Sequence, residues 1–523
     1  QEDLGMSELR LPELNRFVPS DFSLRGAKAQ GALGSKLPTE VIPPALLSAG
    51  KFARLWHKTD RAFSTPRAYV VGQAYTAAYD RGPRSVVLMR LFCSVVYDDL
   101  NAFSYDAEVA GLGYSLDFTD QLSLHVGGFN DKLPLLLECV LARVKEVLTD
   151  AADAETAQGP RGEELLDRLE VQRQLLVQNY SNFTREEPWS ISQYYVSQVM
   201  LRDSWHLTEY LDALERPFTL ADMASEVREG LARAQVELLV HGNVSAEEAK
   251  SHGRVMTEAF EELGVGALEE VEKRKITKLP EGSSTIFEYD LVAENPTQEN
   301  CSTENIYQVG PTGEDSVRDA CLALVCHMAG TSAYQRLRTE EQLGYIVTAF
   351  CWAELHVAGL AVVVQGTRLP PREVDERIEA WMASFGYELE SMPPEEFANN
   401  VRAVISEVTQ RYTTLSQETW AHWAEIQSRR YRFQRVARAV RTLESLKQED
   451  VLALFRERLA LGAPARRKLS VRVLGTSAAG ARSSAEEGGR LLTTLPDIRA
   501  FLQETEAWPP ATLDEPPVPL YGV

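Results

Sequence analysis

The stretch "NAFSYDAEVAGLGYSLDFTDQLSLHVGG" (Asn101–Gly128) occurs again, in altered form, as "SAYQRLRTEEQLGYIVTAFCWAELHVAG" (Ser332–Gly359), at a constant offset of 231 residues and without a gap. Leu-Gly-Tyr and Leu-His-Val stand at matching places in both copies. Each copy has the pattern of a helix, a turn and a strand. Two copies at so long a period indicate a duplicated domain, not a solenoid.

The chain has 523 residues, more than one ordinary hydrophobic core accommodates. Helical spacing, as at 84–105, 315–337 and 371–385, alternates with strand-like runs on both sides of a charged segment, Gly266–Ser284. This segment also contains proline, glycine and two serines and is typical of a linker. The sequence therefore predicts two domains of mixed helix and strand, 1–270 and 271–523.

Composition excludes several classes of partner. The formal charge of −22 and the pI near 5.0 argue against nucleic acid, whose phosphates require clustered lysine and arginine. No run of eighteen apolar residues is present, which predicts no membrane span. The six cysteines include no C-x-x-C pair, which favours a reducing compartment such as the cytoplasm and leaves a secretory or organellar route open. The first residue is Gln1, and we expect the chain to be part of a longer protein.

Several catalytic motifs are missing from the sequence. It contains no G-x-S-x-G elbow, P-loop, G-x-G-x-x-G, H-E-x-x-H or H-x-x-E-H. The eight histidines are scattered, so the sequence predicts no metal site in this chain. His125 and His356 fall at matched repeat positions inside apolar strands, which favours core residues over metal ligands.

The remaining candidates are Arg338 and Tyr345, which flank the second Leu-Gly-Tyr turn. Tyr345 has a counterpart in Tyr114, whereas the position of Arg338 holds Ala107 in the first copy. An arginine and a tyrosine aimed at one point could hold a peptide carbonyl or stabilise an oxyanion. The alternative is a surface arginine paired with Glu340 or Glu341 and a core tyrosine. The glycines of the two turns, Gly113 and Gly344, are expected to permit a tight turn between helix and strand.

At these residues the sequence resembles a known family. "LRTEEQLGYIV" (337–347) is similar to the signature of the C-terminal half of insulysin and pitrilysin, zinc metallopeptidases that also include nardilysin. The resemblance extends over nearly the whole chain, through "LPELNRFVPSDFSL" (11–24), "YDAEVAGLGYSLDF" (105–118), "SNFTREEPW" (181–189) and "RRKLSVRVLG" (466–475).

The resemblance implies an α+β fold of two homologous domains, each a mostly antiparallel sheet with helices packed on one face, the third and fourth of four in the family. Together they form one half of a bowl-shaped enclosure. The other half, the N-terminal one, carries the zinc, and peptides are cut between the halves. By the motif match, Arg338 and Tyr345 are the catalytic contribution of this half. These two residues and Tyr334 bind the substrate.

Two hypotheses follow from the resemblance. In the first, the chain is the substrate-binding half of a zinc metalloendopeptidase, inactive by itself and active with a zinc-bearing N-terminal half. In the second, it is a non-catalytic peptide-binding or scaffold subunit of the same fold. A homodimer is left open in either case.

Overall fold

The computed structural model describes residues 14–25, 37–271, 273–481 and 489–511. The first half contains β1 (Ala45–Ala49), β2 (Ala53–Thr59), β3 (Arg67–Tyr75), α1 (Pro83–Asp99), α2 (Asn101–Val109), β4 (Gly113–Phe118), β5 (Leu122–Phe129), α3 (Leu133–Ala152), α4 (Ala154–Ala157), α5 (Pro160–Ser181), α6 (Pro188–Met200), α7 (Leu207–Glu215), α8 (Leu220–Gly230), β6 (Arg233–Gly242), α9 (Ala246–Glu262) and β7 (Gly266–Ala267). The second half contains β8 (Ser284–Asp290), β9 (Cys301–Pro311), α10 (Ser316–Ala333), β10 (Ile346–Glu354), β11 (Val357–Gly366), α11 (Pro371–Ser391), α12 (Pro394–Val408), α13 (Leu415–Gln427), α14 (Arg435–Ser445), α15 (Gln448–Leu454), β12 (Lys468–Leu474), β13 (Gly489–Leu492) and α16 (Leu495–Glu504).

The two sheets share one topology. The first runs β1-β2-β6-β3-β5-β4, with β7 beside β6, and the second runs β13-β8-β12-β9-β11-β10. In both, one central pair is parallel, β2 with β6 and β8 with β12, and the strands from there to β4 or β10 are antiparallel. The outer strand differs, since β1 is antiparallel to β2 whereas β13 is parallel to β8. The predicted α+β class of two similar, mostly antiparallel sheets is confirmed.

Helices of its own half cover one face of each sheet. In the first half α1 and α3 pack on β4 and β5 and bury Leu91 and Leu136, and in the second half α10 and α11 pack on β10 and β9 and bury Leu324 and Trp381. Removal of this apolar surface from water is the main stabilising contribution in each half.

The opposite face of each sheet receives a helix from the other half. Helix α13 of the second half packs Trp423 and Ile426 on Trp56 of the first sheet. Helix α6 of the first half lies beside α16 on the second sheet, where Ile191 and Val199 are fully buried. This exchange ties the two halves together and brings residues of the first half to the edge of the second sheet.

The turn before each Leu-Gly-Tyr tyrosine has its left-handed residue at Gly111 (φ 78°) and at Gln342 (φ 52°). The expectation that Gly113 and Gly344 supply this backbone freedom is therefore wrong. Gly344 is required for a different reason, because a Cβ atom there would lie 1.9 Å from the carbonyl oxygen of Gln365. A Cβ atom on Gly113 would meet nothing within 4 Å.

The gapless repeat ends at the strand after this turn. The β10–β11 hairpin pairs Ile346 with Gln365 through Glu354 with Val357, and is longer than the β4–β5 hairpin. His356 consequently lies in the hairpin turn, where its Nε2 is 2.7 Å from the carbonyl oxygen of Pro509. His125 lies within β5, so the prediction that the two histidines occupy matching strand positions is wrong for His356.

The segment between the sheets is anchored along its second part. Ile276 and Leu279 are fully buried, and Thr277 forms a bridge with Ala507. The strands of the first sheet come from residues 45–267 and those of the second from 284–492, while the domain boundary at 270/271 stays a prediction. Within the described ranges, none of the helices is long and apolar enough to cross a bilayer.

Candidate functional site at the end of α10

The three predicted site residues lie close together in sequence at the C-terminal end of α10. Tyr334 and Arg338 belong to a π-helical turn, Tyr334–Glu340, that continues α10, and Tyr345 stands directly before β10. Such wide turns are frequent at functional sites. Tyr334 is 54% exposed and Tyr345 52%, and Arg338 is half-buried.

The turn is held from below by two apolar side chains. Leu337 is fully buried and Leu343 is nearly so, and the amide of Leu343 donates to the carbonyl of Leu337 over 3.0 Å. Of the polar residues between them, Thr339, Glu340 and Gln342 are exposed, and Arg338 and Glu341 are half-buried. This anchoring gives the exposed side chains a fixed backbone.

Ion pairs on the turn leave Arg338 out. Arg336 pairs with Glu340 and with Glu341, each at 2.9 Å, and Arg377 of α11 reaches Glu341 at 2.6 Å. Both glutamates that the sequence offered as partners for Arg338 are therefore occupied. Among the described residues, the guanidinium of Arg338 has neither a hydrogen bond nor an ion pair, and it is free to bind an external acceptor.

Tyr345 is held by residues that the sequence did not identify. Its backbone N–H donates to the carbonyl of Gln365 over 3.1 Å, a contact that the absence of a side chain at Gly344 allows. Its hydroxyl donates to Oε2 of Glu187 over 3.1 Å and accepts from Nε2 of Gln365. Burial, together with the carboxylate of Glu187, raises the pKa of Tyr345, so the hydroxyl keeps its proton at neutral pH.

Glu187 lies 158 residues before Tyr345, at the N-terminus of α6. A glutamate followed by proline indicates a helix start, but no local pattern connects it with Tyr345. The contact arises because α6 crosses from the first half onto the second sheet.

The matching positions of the first copy are closed. Phe103 packs edge-on against Phe17 with ring centroids 4.9 Å apart, and Ala107 is 1% exposed. The hydroxyl of Tyr114 is buried without a hydrogen-bond partner, and its ring lies 5.4 Å from that of Tyr97. The unpaired arginine and the exposed tyrosines are therefore a property of the second copy and not of the shared fold.

Three cavities lie in the first half and the segment that follows it, and neither Arg338 nor Tyr345 lines any of them. Tyr345 is exposed and Arg338 is half-buried. In the part of the chain that the structure describes, no group of three or more His, Cys, Asp or Glu side chains is arranged to hold a metal ion, so these residues do not fit a zinc site.

Two protein-family models match parts of this chain. The family model for the middle or third domain of peptidase M16 matches residues 2–213, and the model for the C-terminal lobe domain 4 of PQQ synthase PqqF-like proteins matches 324–423, a range that contains Arg338 and Tyr345. The chain is 29% identical over 478 residues to insulin-degrading enzyme-like 1, peroxisomal, of Arabidopsis thaliana, covering 90% of this chain and 46% of that protein. It is 27% identical over 472 residues to the human insulin-degrading enzyme, covering 89% of this chain and 43% of the relative.

The crystal structure of pitrilysin has the same fold, with a TM-score of 0.80 at 22% identity, covering 96% of this chain and 49% of that one. The chain spans about half the length of the relatives it matches. Family model, relatives and solved structure thus all match this chain to the C-terminal half of an insulysin- or pitrilysin-type peptidase.

Proposed function

We propose that this chain is the substrate-binding half of a zinc metalloendopeptidase that encloses and hydrolyses peptides. Arg338 and Tyr345 are its catalytic residues, and Tyr334 is a substrate-binding residue beside them. Zinc and its ligands belong to an N-terminal half, which would also close the open surface around Arg338. No residue of this chain is assigned to the metal.

The observation that carries the proposal is the unpaired guanidinium of Arg338 on a turn whose other charges are paired, seven residues before the exposed phenol of Tyr345. A cation and a hydroxyl can donate to the oxygen of a scissile carbonyl. Both bonds strengthen as negative charge develops on that oxygen, which lowers the barrier more than it improves ground-state binding.

The test uses Arg338→Ala and Tyr345→Phe in the chain combined with its zinc-bearing half, with a quenched fluorescent peptide as substrate. Each change is expected to lower kcat about 100-fold while KM changes much less. Arg438→Ala and Tyr387→Phe, at exposed positions of α14 and α11, are the matched controls and should retain parent activity. An unchanged kcat in both Arg338→Ala and Tyr345→Phe would exclude the assignment.

The same mixture distinguishes the alternative of a non-catalytic peptide-binding or scaffold subunit. Chelator-sensitive cleavage that requires both halves supports the enzyme. Peptide binding by this chain that persists without cleavage, with an active zinc half present, supports the scaffold.

A further inference from the structure

Tyr345 sits in a socket made by two segments that are distant in sequence. We infer that Gln365 of β11 is a positioning residue for Tyr345, and that Glu187 at the N-terminus of α6 completes the socket. The inference rests on the proposed function of Tyr345.

Gln365 is fully buried and contacts Tyr345 twice. Its carbonyl oxygen accepts the backbone N–H of Tyr345 over 3.1 Å, and its Nε2 donates to the phenol oxygen. Its Oε1 accepts the backbone N–H of Trp189 over 2.7 Å. Because that N–H requires an acceptor, the amide has one orientation and its NH₂ group must face Tyr345.

Glu187 binds both partners from the other side. Its Oε2 accepts the hydroxyl of Tyr345 over 3.1 Å and the Nε2 of Gln365 over 2.7 Å. The helix that follows Glu187 is firmly seated, since Ile191 is fully buried and Ser192 donates to the buried Glu304 over 2.8 Å. The phenol oxygen is thus located by a strand and by a helix, both of them rigid.

The hydrogen bonds of the Tyr345 phenol would allow its O–H group to donate to a substrate in place of Glu187. A phenol has one hydrogen to donate and lone pairs that accept. Here the hydrogen goes to Glu187, which is exposed, and the bond accepted comes from Gln365, which is buried. A substrate oxygen can replace Glu187 as the acceptor of the phenol O–H, while the hydrogen bond from Gln365 keeps the phenol oxygen in place. An error of about 1 Å in such a position costs roughly 100-fold in rate.

The first copy shows that the fold itself does not require this socket. Tyr114 lies opposite Val126 in the β4–β5 pair, and its hydroxyl has no hydrogen-bond partner. The amide and the carboxylate therefore serve the tyrosine of the second copy specifically.

A double-mutant cycle tests the inference in the two-half enzyme. Gln365→Met should lower kcat about 10-fold with little change in KM, and should have no further effect on kcat in the Tyr345→Phe background. Gln308→Met is the matched control, because Gln308 is also fully buried in the second sheet and binds the amide of Leu279 and the carbonyl of Thr277. Its effect should be equal in both backgrounds.

Each outcome of the cycle has one meaning. An equal loss from Gln365→Met in both backgrounds, or no loss in either, overturns the positioning role while leaving the proposed function standing. An unchanged kcat in the single variant Tyr345→Phe overturns the catalytic role of Tyr345, and the positioning role of Gln365 with it.

A second measurement needs no activity. In this chain alone, labelled with ¹³C at tyrosine Cζ and assigned through Tyr345→Phe, Glu187→Ala should move the ionisation of Tyr345 to lower pH because a neighbouring negative charge is lost. Gln365→Met should move it to higher pH, since the amide hydrogen bond stabilises the phenolate, and Gln308→Met should not move it. Glu187 is exposed, so its variant should fold. Absence of both shifts would contradict the socket.

Discussion

The two copies of the helix–turn–strand unit differ most at three matched positions. The pairs are Phe103 and Tyr334, Ala107 and Arg338, and Tyr114 and Tyr345. In the first copy these positions are covered, in part by Phe17 from the segment at 14–25, and in the second copy they are open. A duplicated fold thus supplies a similar backbone twice, and a polar surface exists in the copy that no described segment covers.

The exchanged helices provide a second comparison. Beneath α13 lies a buried ionic group in which Lys58 pairs with Glu418 and approaches Nε2 of His422 at 2.9 Å, with Nδ1 of His241 2.8 Å from Oγ1 of Thr419. Beneath α6 lies the buried carboxyl of Glu304, which accepts a hydrogen bond from Ser192. Equivalent helices therefore meet opposite electrostatic environments, and the two contacts should respond to pH with opposite signs.

The largest expected effect comes from placing the arginine of the second copy into the first. Ala107→Arg should destabilise the chain by about 3–5 kcal/mol, because it buries a charge without a partner. The reverse change, Arg338→Ala, should leave stability within about 0.5 kcal/mol of the parent, because the side chain is unpaired. Urea unfolding of both variants measures the contrast. If Ala107→Arg is as stable as the parent, the position of Ala107 in the first copy is not closed to solvent.

The second-largest expected effect distinguishes Gly344 from its counterpart Gly113. Gly344→Ala should cost about 3 kcal/mol, since its Cβ would lie 1.9 Å from a backbone oxygen that must move. Gly113→Ala should be neutral or stabilising, since its Cβ meets open space in a strand. Thermal unfolding of the two single variants gives the comparison directly, and equal costs would refute the different roles of the two turns.

The contact beneath α13 should weaken in acid. Burial lowers the pKa of His241 to about 3. Below pH 6.5 this histidine is therefore protonated in the unfolded chain and still neutral in the folded chain, so stability falls as pH falls. Between pH 6.5 and 5 this site should account for a loss of about 2 kcal/mol. His241→Asn should remove that part of the slope in unfolding curves measured across the interval. A slope identical to that of the parent would contradict the burial of a neutral histidine.

Glu418 adds to the same acid sensitivity at lower pH. Burial opposes its ionisation, but the hydrogen bond from His422 and the charge of Lys58 outweigh this and lower the pKa of Glu418 to about 2. Its contribution to stability is therefore present above pH 4.5 and is lost as pH falls towards 2.

The contact beneath α6 should behave in the opposite way, with a smaller effect. Burial raises the pKa of Glu304 to about 7, so stability falls as pH rises from 4.5 to 7, where the unfolded chain releases the proton and the folded chain retains it. Relative to the parent, Glu304→Gln should gain about 1 kcal/mol between pH 5.5 and 6.5. Chemical unfolding at these two pH values measures the difference. If the stability difference between Glu304→Gln and the parent is the same at both pH values, the prediction for Glu304 is wrong.

Much of the fold follows from local patterns. The repeat predicted duplication, and the periodicities predicted helices near 84–105, 315–337 and 371–385, where the structure has α1, α10 with its π-helical turn, and α11. The offset of 231 residues does not match the structure beyond the Leu-Gly-Tyr turn, because the β10–β11 hairpin is longer than the β4–β5 hairpin. The length of a hairpin depends on cross-strand pairing, which sequence spacing does not reveal.

Sequence by itself determined that the chain contains one fold twice, that Arg338 is present in one copy and absent from the other, and which family the chain resembles. Only the tertiary structure decided that Arg338 is unpaired and that Tyr345 is held by Glu187 and Gln365. Ion pairing depends on which of several nearby arginines reaches a given glutamate, and the socket depends on a helix that crosses to the other half. Both are relations in space between residues far apart in the chain, and periodicity and composition carry no record of them.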